Sequence, residues 1–223
     1  MVATARKLTI SVDADHQVSG LLLAPKDARA CYVLAHGAGA GMTHPFMAAV
    51  ADGLAERGIA TLRYQFPYME RGSKRPDTPK LAQATVRAAV AEAAKRLPDV
   101  PLFAGGKSFG GRMTSQAQAV EPMPGVRGLI FLGFPLHPAG KPSDERAAHL
   151  AEVKVPMLFL QGSRDDLAHL DLLRPLVKSL GRRATLQVFE DAGHSFHVPA
   201  RSGKKDAEVL GEALDAIGAW MDA

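Results

Sequence analysis

The amino-acid sequence predicts an α/β fold, in which helices flank a mostly parallel, eight-stranded sheet. Continuous apolar runs are typical of strands that are covered on both faces. Six such runs occur, at residues 32–35, 59–64, 101–105, 126–132, 155–160 and 185–189. Segments with helical spacing alternate with these runs, and that alternation indicates repeated βα units around a parallel sheet.

A hairpin and two long helices complete the predicted fold. Residues 7–12 and 18–23 alternate in polarity around a polar turn, which favours two antiparallel strands at the start of the sheet. The clearest helices are predicted at residues 81–97, before Pro98, and at residues 207–221. In both segments apolar side chains recur every three or four positions, as they do on the buried face of a helix.

Length and composition are ordinary for one globular domain, which we expect to span residues 1–223. A net charge of +4 is too weak and too scattered to predict nucleic-acid binding. The single cysteine, Cys31, excludes an intrachain disulfide. The N-terminal stretch lacks the apolar core of a secretory signal, and no apolar run is long enough to span a bilayer. We therefore expect a cytoplasmic protein without a membrane partner.

The most informative motif is a serine between two glycines, Gly106-Lys107-Ser108-Phe109-Gly110, at the junction of a predicted strand and a predicted helix. This G-x-S-x-G pattern is typical of a nucleophile elbow, whose sharp turn exposes the serine hydroxyl. The same letters resemble the end of a phosphate-binding loop. That alternative requires a glycine where the chain has Pro101, and it requires a flexible loop where the chain has an apolar strand.

A serine nucleophile needs a histidine base and a third group that orients the histidine. Asp165 and His194 follow later predicted strands, and the order Ser, Asp, His is that of the α/β-hydrolase arrangement. Asp166 is an alternative to Asp165, and His197 is an alternative to His194. The sequence thus predicts a Ser108, Asp165, His194 triad.

Acyl transfer also needs backbone donors for the developing oxyanion. One donor is expected from the N–H of Phe109, directly after the nucleophile. The second is expected from the glycine-rich loop after the first parallel strand, at Ala38 with Gly39 as the alternative. His36, just before this loop, is interpreted as a structural residue that supports it.

Several segments of the chain resemble the α/β-hydrolase superfamily, and in particular its dienelactone-hydrolase-related group. That group includes bacterial hydrolase-like proteins, a testis-expressed hydrolase-like protein and a subunit of a histone acetyltransferase complex. The segments that carry the resemblance are residues 36–42, 44–47, 66–69, 105–113 and 133–138. The resemblance implies a compact hydrolase core and the same triad, but no particular substrate.

Only about twenty residues separate the predicted strands at 126–132 and 155–160, so no cap domain is expected there. An open site suits small esters better than long acyl chains. We expect residues 66–80 and 135–149 to form the substrate walls. The candidate substrate contacts are Gly39, Tyr68, Lys107 and His137.

Cations also occur on the predicted loops, at Lys107, Arg71, Lys74, Arg75, Lys141 and Arg164. Exposed cations are common, so a solvated rim is expected, and a preference for anionic substrates is the alternative hypothesis.

The sequence thus predicts a serine hydrolase that cleaves a small carboxylic ester or thioester through an acyl-enzyme. No metal and no organic cofactor are expected, and the oligomeric state is not predicted. Two alternatives stay open at this stage. One is a hydrolase-like protein-binding module with an idle site, and the other is a lactone or peptide hydrolase with the same machinery.

Overall fold

The structure, a computed structural model, describes residues 4–223. The first three residues, which belong to the predicted domain and to the N-terminal stretch discussed above, lie outside the described part. Within residues 4–223 the sheet has eight strands, in the order β1-β2-β4-β3-β5-β6-β7-β8. The strands are β1 (Arg6–Ser11), β2 (Gln17–Leu23), β3 (Ala30–Ala35), β4 (Ile59–Tyr64), β5 (Leu102–Lys107), β6 (Val126–Leu132), β7 (Met157–Gly162) and β8 (Ala184–Phe189).

The predicted fold class is confirmed, including the antiparallel start of the sheet. β1 and β2 form the hairpin, β2 pairs antiparallel with β4, and the remaining neighbours pair in parallel. No separate cap domain interrupts the described residues, and the link between β6 and β7 carries only a 3₁₀ segment, Glu145–Glu152. Within residues 4–223, no helix is both long and apolar enough to cross a membrane.

In the part of the chain that the structure describes, six α-helices cover the sheet: α1 (Pro45–Glu56), α2 (Pro67–Glu70), α3 (Pro79–Arg96), α4 (Phe109–Val120), α5 (Leu170–Ser179) and α6 (Asp206–Met221). The long helix α3 shows why such segments fold locally. The hydroxyl of Thr78 accepts a hydrogen bond from the N–H of Leu81 and caps the first turn, where Pro79 needs no N–H partner. The buried side chains of α3 recur every three or four positions and pack on the sheet.

Two apolar cores lie on opposite faces of the sheet, as alternating strand side chains require. Val33 and Phe131 belong to one core, and Leu34 and Leu132 belong to the other. The chain turns from β4 back across the sheet to β5, so the sheet order reverses between β3 and β5. In open α/β sheets, ligands bind at such a reversal, beyond the carboxyl ends of the strands. The loops after β3 and β5 begin at this point.

Candidate active site

Ser108 occupies a sharp turn between β5 and α4. Its backbone has φ 50° and ψ −116°, and α4 begins at the next residue. A positive φ is rare for a residue with a side chain and costs about 1 to 3 kcal/mol. The turn is held in place by the N–H of Ser108, which donates to the carbonyl of Leu132 over 3.2 Å.

Glycines surround Ser108 because neighbouring backbone leaves no room for a Cβ. A Cβ at Gly110 would lie 2.6 Å from the carbonyl oxygen of His36, and a Cβ at Gly111 would lie 2.8 Å from the carbonyl oxygen of Gly106. At Gly106 itself, where φ is 150°, a Cβ would overlap the carbonyl of Ala35. The close packing of β3, β5 and α4 therefore sets the position of the serine.

Asp165 and His194 form a hydrogen-bonded pair. Nδ1 of His194 lies 2.7 Å from Oδ2 of Asp165 and donates to it. The Asp165 carboxylate is buried, and its other oxygen accepts from the N–H of Leu167 over 2.8 Å. This arrangement fixes the tautomer of His194, with the proton on Nδ1 and the lone pair on Nε2.

Gln161 is a further residue of this network, and sequence reasoning missed it. Its side-chain amide donates to Oδ2 of Asp165, and its Oε1 accepts from the N–H of Phe134 over 2.9 Å. The side chain is fully buried. The available signal was a glutamine at the end of an otherwise apolar strand, since a buried amide requires hydrogen-bond partners.

Ser108 and His194 line the same cavity, whose volume is about 490 Å³. Phe46 and Met47 of α1 contribute apolar wall to it. Asp166 is exposed, whereas Asp165 is the carboxylate that holds His194. His197 also lines the cavity, but its Nδ1 is bound to Asp206 at the start of α6, 2.9 Å away.

The two predicted oxyanion donors lie beside Ser108. Ala38 and Phe109 both line a second cavity that also includes Ser108. Phe109 is the first residue of α4, and the first N–H groups of a helix have no partner within it. His36 supports the adjacent loop, since its Nδ1 donates to the carbonyl of Gly37 and its Nε2 accepts from the N–H of Phe66.

Lys107 lies beneath the histidine rather than in open solvent. Its Nζ donates to the backbone carbonyl of His194 over 2.7 Å and lies 5.9 Å from the centre of the Phe196 ring. Burial lowers the pKa of this amine to about 8, against a smaller opposite influence of Asp165. The side chain thus links the position before Ser108 to the segment that carries His194.

The other candidate substrate contacts lie at different depths. Gly39 is exposed, whereas Tyr68 and His137 are fully buried. The hydroxyl of Tyr68 faces the carbonyl of Gly37, and Nε2 of His137 accepts from the N–H of His169. Of the four candidates only Lys107 lines the cavity that contains His194, and the substrate contacts stay predictions.

The loop cations are solvated or paired. Lys74, Arg75 and Lys141 are exposed. Arg71 forms an ion pair with Asp77 over 2.8 Å, and Arg164 lies 3.7 Å from Asp191. This placement favours the expected solvated rim for these five residues.

Solved structures with the same fold extend over nearly the full length of the chain. A dienelactone hydrolase from Anabaena variabilis is 21% identical, with a TM-score of 0.81, and the match covers 99% of this chain and 97% of that one. A serine hydrolase homologue from Coxiella burnetii is 20% identical, with a TM-score of 0.76 and coverage of 96% and 97%. A serine hydrolase without a lid from Xanthomonas campestris is 21% identical, with a TM-score of 0.73 and coverage of 97% and 95%.

At these identities the similarity concerns the fold, and at that level it agrees with the predicted dienelactone-hydrolase resemblance. The sequence itself matches a family described as an alpha/beta hydrolase domain over residues 28–222. Fold and family together support a hydrolase. Because the match extends over most of its length, the chain belongs to the alpha/beta-hydrolase family.

Proposed function

We propose that this hydrolase cleaves small carboxylic esters or thioesters through an acyl-enzyme on Ser108. The observation that carries the proposal is the shared cavity of Ser108 and of His194, which Asp165 holds by Nδ1. A serine hydroxyl becomes an effective nucleophile only when a base takes its proton. A substrate in this cavity would contact both the hydroxyl of Ser108 and the imidazole of His194.

The proposed reaction has two halves. In the first, Oγ of Ser108 attacks the ester carbonyl, and Nε2 of His194 takes the hydroxyl proton. The tetrahedral intermediate then collapses, its bond to the leaving oxygen or sulfur breaks, and His194 returns the proton to the leaving group. In the second half, His194 takes a proton from water, which attacks the acyl carbonyl. His194 then returns that proton to Oγ of Ser108 as the bond to the serine breaks and the acid leaves.

The N–H groups of Ala38 and Phe109 are assigned to the oxyanion. Loss of one such donor typically costs about 10²- to 10³-fold in rate. Asp165 stays ionised, orients His194 and stabilises the imidazolium that forms. The absence of a cap over the described residues supports small substrates, because little surface encloses a long acyl chain.

Labelling with a fluorophosphonate probe tests the proposal. The wild-type protein is expected to become labelled, and Ser108→Ala is expected to abolish labelling. Ser195→Ala is the matched control, because Ser195 lines the same cavity and carries no proposed role. Labelling of Ser108→Ala would remove Ser108 as the nucleophile.

A panel of short esters, thioesters, lactones and peptides then separates the substrate classes. Turnover of the esters or thioesters, lost in Ser108→Ala, is the expected result. Turnover of lactones or peptides alone would mean that the same residues act on a different class of substrate. A protein that neither reacts with the probe nor turns over any substrate would favour a binding module.

A further inference from the structure

Two cavities meet at Ser108. The first, which contains His194, is described above, and the second has a volume of about 410 Å³. Ala38, Ser108 and Leu167 line both of them. A substrate whose carbonyl lies at Ser108 has room for one of its parts in each cavity.

The position of His194 decides which part lies where. In the proposed reaction, this histidine gives its proton to the leaving group, so the leaving group must lie beside it. His194 lines the first cavity and is not among the residues that line the second. The second cavity is therefore the place for the acyl part.

Two arginines, Arg112 and Arg146, line the acyl cavity. Arg112 lies one helical turn after the nucleophile, where its N–H donates to the carbonyl of Ser108 over 3.1 Å. Arg146 comes from the 3₁₀ segment between β6 and β7. Both side chains are partly buried.

Within residues 4–223, neither guanidinium has a carboxylate partner, and Nε of Arg112 is buried without a hydrogen bond. A buried donor without a partner costs about 1 to 3 kcal/mol, and more when it is charged. Burial lowers the pKa of Arg112, and the charge of Arg146 lowers it further. The two positively charged guanidinium groups repel each other, so a negatively charged group beside them would be stabilising.

The neighbouring titratable groups leave this positive charge unbalanced. Asp77 lines the same cavity, but its oxygens already accept from Arg71 and from the N–H of Tyr68. Burial, followed by the charge of Arg112, lowers the pKa of His149 to about 4, so this imidazole is neutral at pH 7. An anion on the substrate would therefore meet both arginines.

We propose that Arg112 and Arg146 bind a carboxylate on the acyl part of the substrate. The preferred substrates are then half-esters of dicarboxylic acids, a specificity that rests on the proposed function. The planar guanidinium fork suits the two oxygens of a carboxylate better than a point charge does. In the proposed complex, the substrate carboxylate balances the positive charge of the two arginines near Ser108.

The test compares 4-nitrophenyl hexanoate with the 4-nitrophenyl half-ester of adipic acid. Both acyl chains have six carbons, and the carboxylate of one replaces the methyl group of the other. The wild-type kcat/KM, corrected for spontaneous hydrolysis, is expected to favour the half-ester by about tenfold or more, because hydrogen bonds to charged groups contribute at this level. Added salt should weaken the preference.

Arg112→Gln and Arg146→Gln are expected to lower the ratio of the two kcat/KM values by about tenfold to hundredfold. Arg182→Gln removes the same charge from an exposed position and is expected to leave the ratio unchanged. Equal wild-type rates on the two esters, or a ratio that neither arginine variant changes, would overturn the proposal.

A binding measurement separates failure of this proposal from failure of the proposed function. In Ser108→Ala, titration calorimetry compares monomethyl adipate with methyl hexanoate, and the anion is expected to bind more tightly. Adding Arg112→Gln is expected to remove that difference. If the wild-type protein hydrolysed neither nitrophenyl ester, this titration would still decide the subsite, and equal affinities would exclude it.

Discussion

The two segments that bring Ser108 and His194 to one cavity are held in place by different means. The nucleophile segment, residues 105–111, is fixed by close contact between backbones, with four glycines among its seven residues. The histidine segment, residues 191–197, is fixed by side chains that reach it from other elements. The nucleophile segment therefore tolerates no added atoms, whereas the histidine segment depends on the side chains that bind it.

The histidine segment has three such links. Asp165, in the loop after β7, binds the imidazole of His194, and Lys107, at the end of β5, binds its backbone carbonyl. Asp206, at the start of α6, binds His197 and the N–H of Val198. Each link joins a different element, so this segment depends on the completed sheet, whereas the nucleophile segment depends on its immediate neighbours.

The largest expected effect comes from an added atom in the nucleophile segment. In Gly106→Ala the new Cβ overlaps the carbonyl of Ala35, and neither backbone can move within the sheet. We expect the free energy of unfolding to fall by more than about 3 kcal/mol, the range of severe core strain. Urea unfolding measures the change.

Gly72→Ala is the matched control for this substitution. Gly72 also has a positive φ, 66°, but its Cβ would meet no atom within 4 Å. Only the strain of the backbone remains there, which costs about 1 to 2 kcal/mol. Equal losses in the two variants would mean that backbone conformation, and not close packing, shapes the nucleophile segment.

The same contrast explains how much the sequence predicts. The strands can be predicted from the sequence because both faces of the sheet are covered, which makes the buried segments continuously apolar. The motif around Ser108 can be recognised in the sequence because the close packing there requires glycines at fixed positions. Asp165 and His194 are predictable as residues that follow strands, but their hydrogen bond is formed only when the sheet brings the strand ends together.

The missed residues depend on contacts between distant elements. Arg112 is one of 27 lysines and arginines, and nothing local separates it from an exposed cation. Its cavity is formed only when the segment Glu145–Glu152 packs near α4. Lys107 is a candidate substrate contact from the sequence, but its hydrogen bond to the backbone of His194 likewise forms only when the histidine segment packs against the end of β5.

The next substitution removes the negative charge that faces His194 and keeps the size of the side chain that carries it. In Asp165→Asn, the side chain can no longer stabilise an imidazolium, and it presents an amide to Gln161. We expect kcat on a neutral ester to fall by about 10³- to 10⁴-fold, as for loss of the orienting acid in a triad. A stopped assay with saturating ester measures it.

Asp166→Asn is the control. It removes the same charge from the neighbouring carboxylate, which is exposed. Its kcat is expected to stay close to that of the wild type. A large loss in Asp166→Asn with little loss in Asp165→Asn would assign the orienting role to the other carboxylate.

The smallest effect concerns Lys107, where the two segments meet. Lys107→Met keeps much of the side-chain length and removes the hydrogen bond to His194, so we expect kcat to fall by about tenfold, the scale of one such bond. KM on a neutral ester should change less, because the bond positions the base and not the substrate. A drop in kcat/KM that lies wholly in KM would instead make Lys107 a substrate contact.

Stability provides an independent test of the buried amine. Its pKa falls from 10.5 to about 8 on folding, so between these values the unfolded chain binds more protons than the folded one. The contribution of Lys107 to the free energy of unfolding therefore rises with pH through this window, and its cost is fully present below pH 8. Measured by urea unfolding, wild-type stability relative to Lys107→Met should increase from pH 8 to 10.5, while exposed Lys80→Met should show no such trend. A flat difference for Lys107→Met would mean that the amine keeps its solvent, and that the link between the two segments is looser than the hydrogen bond to His194 implies.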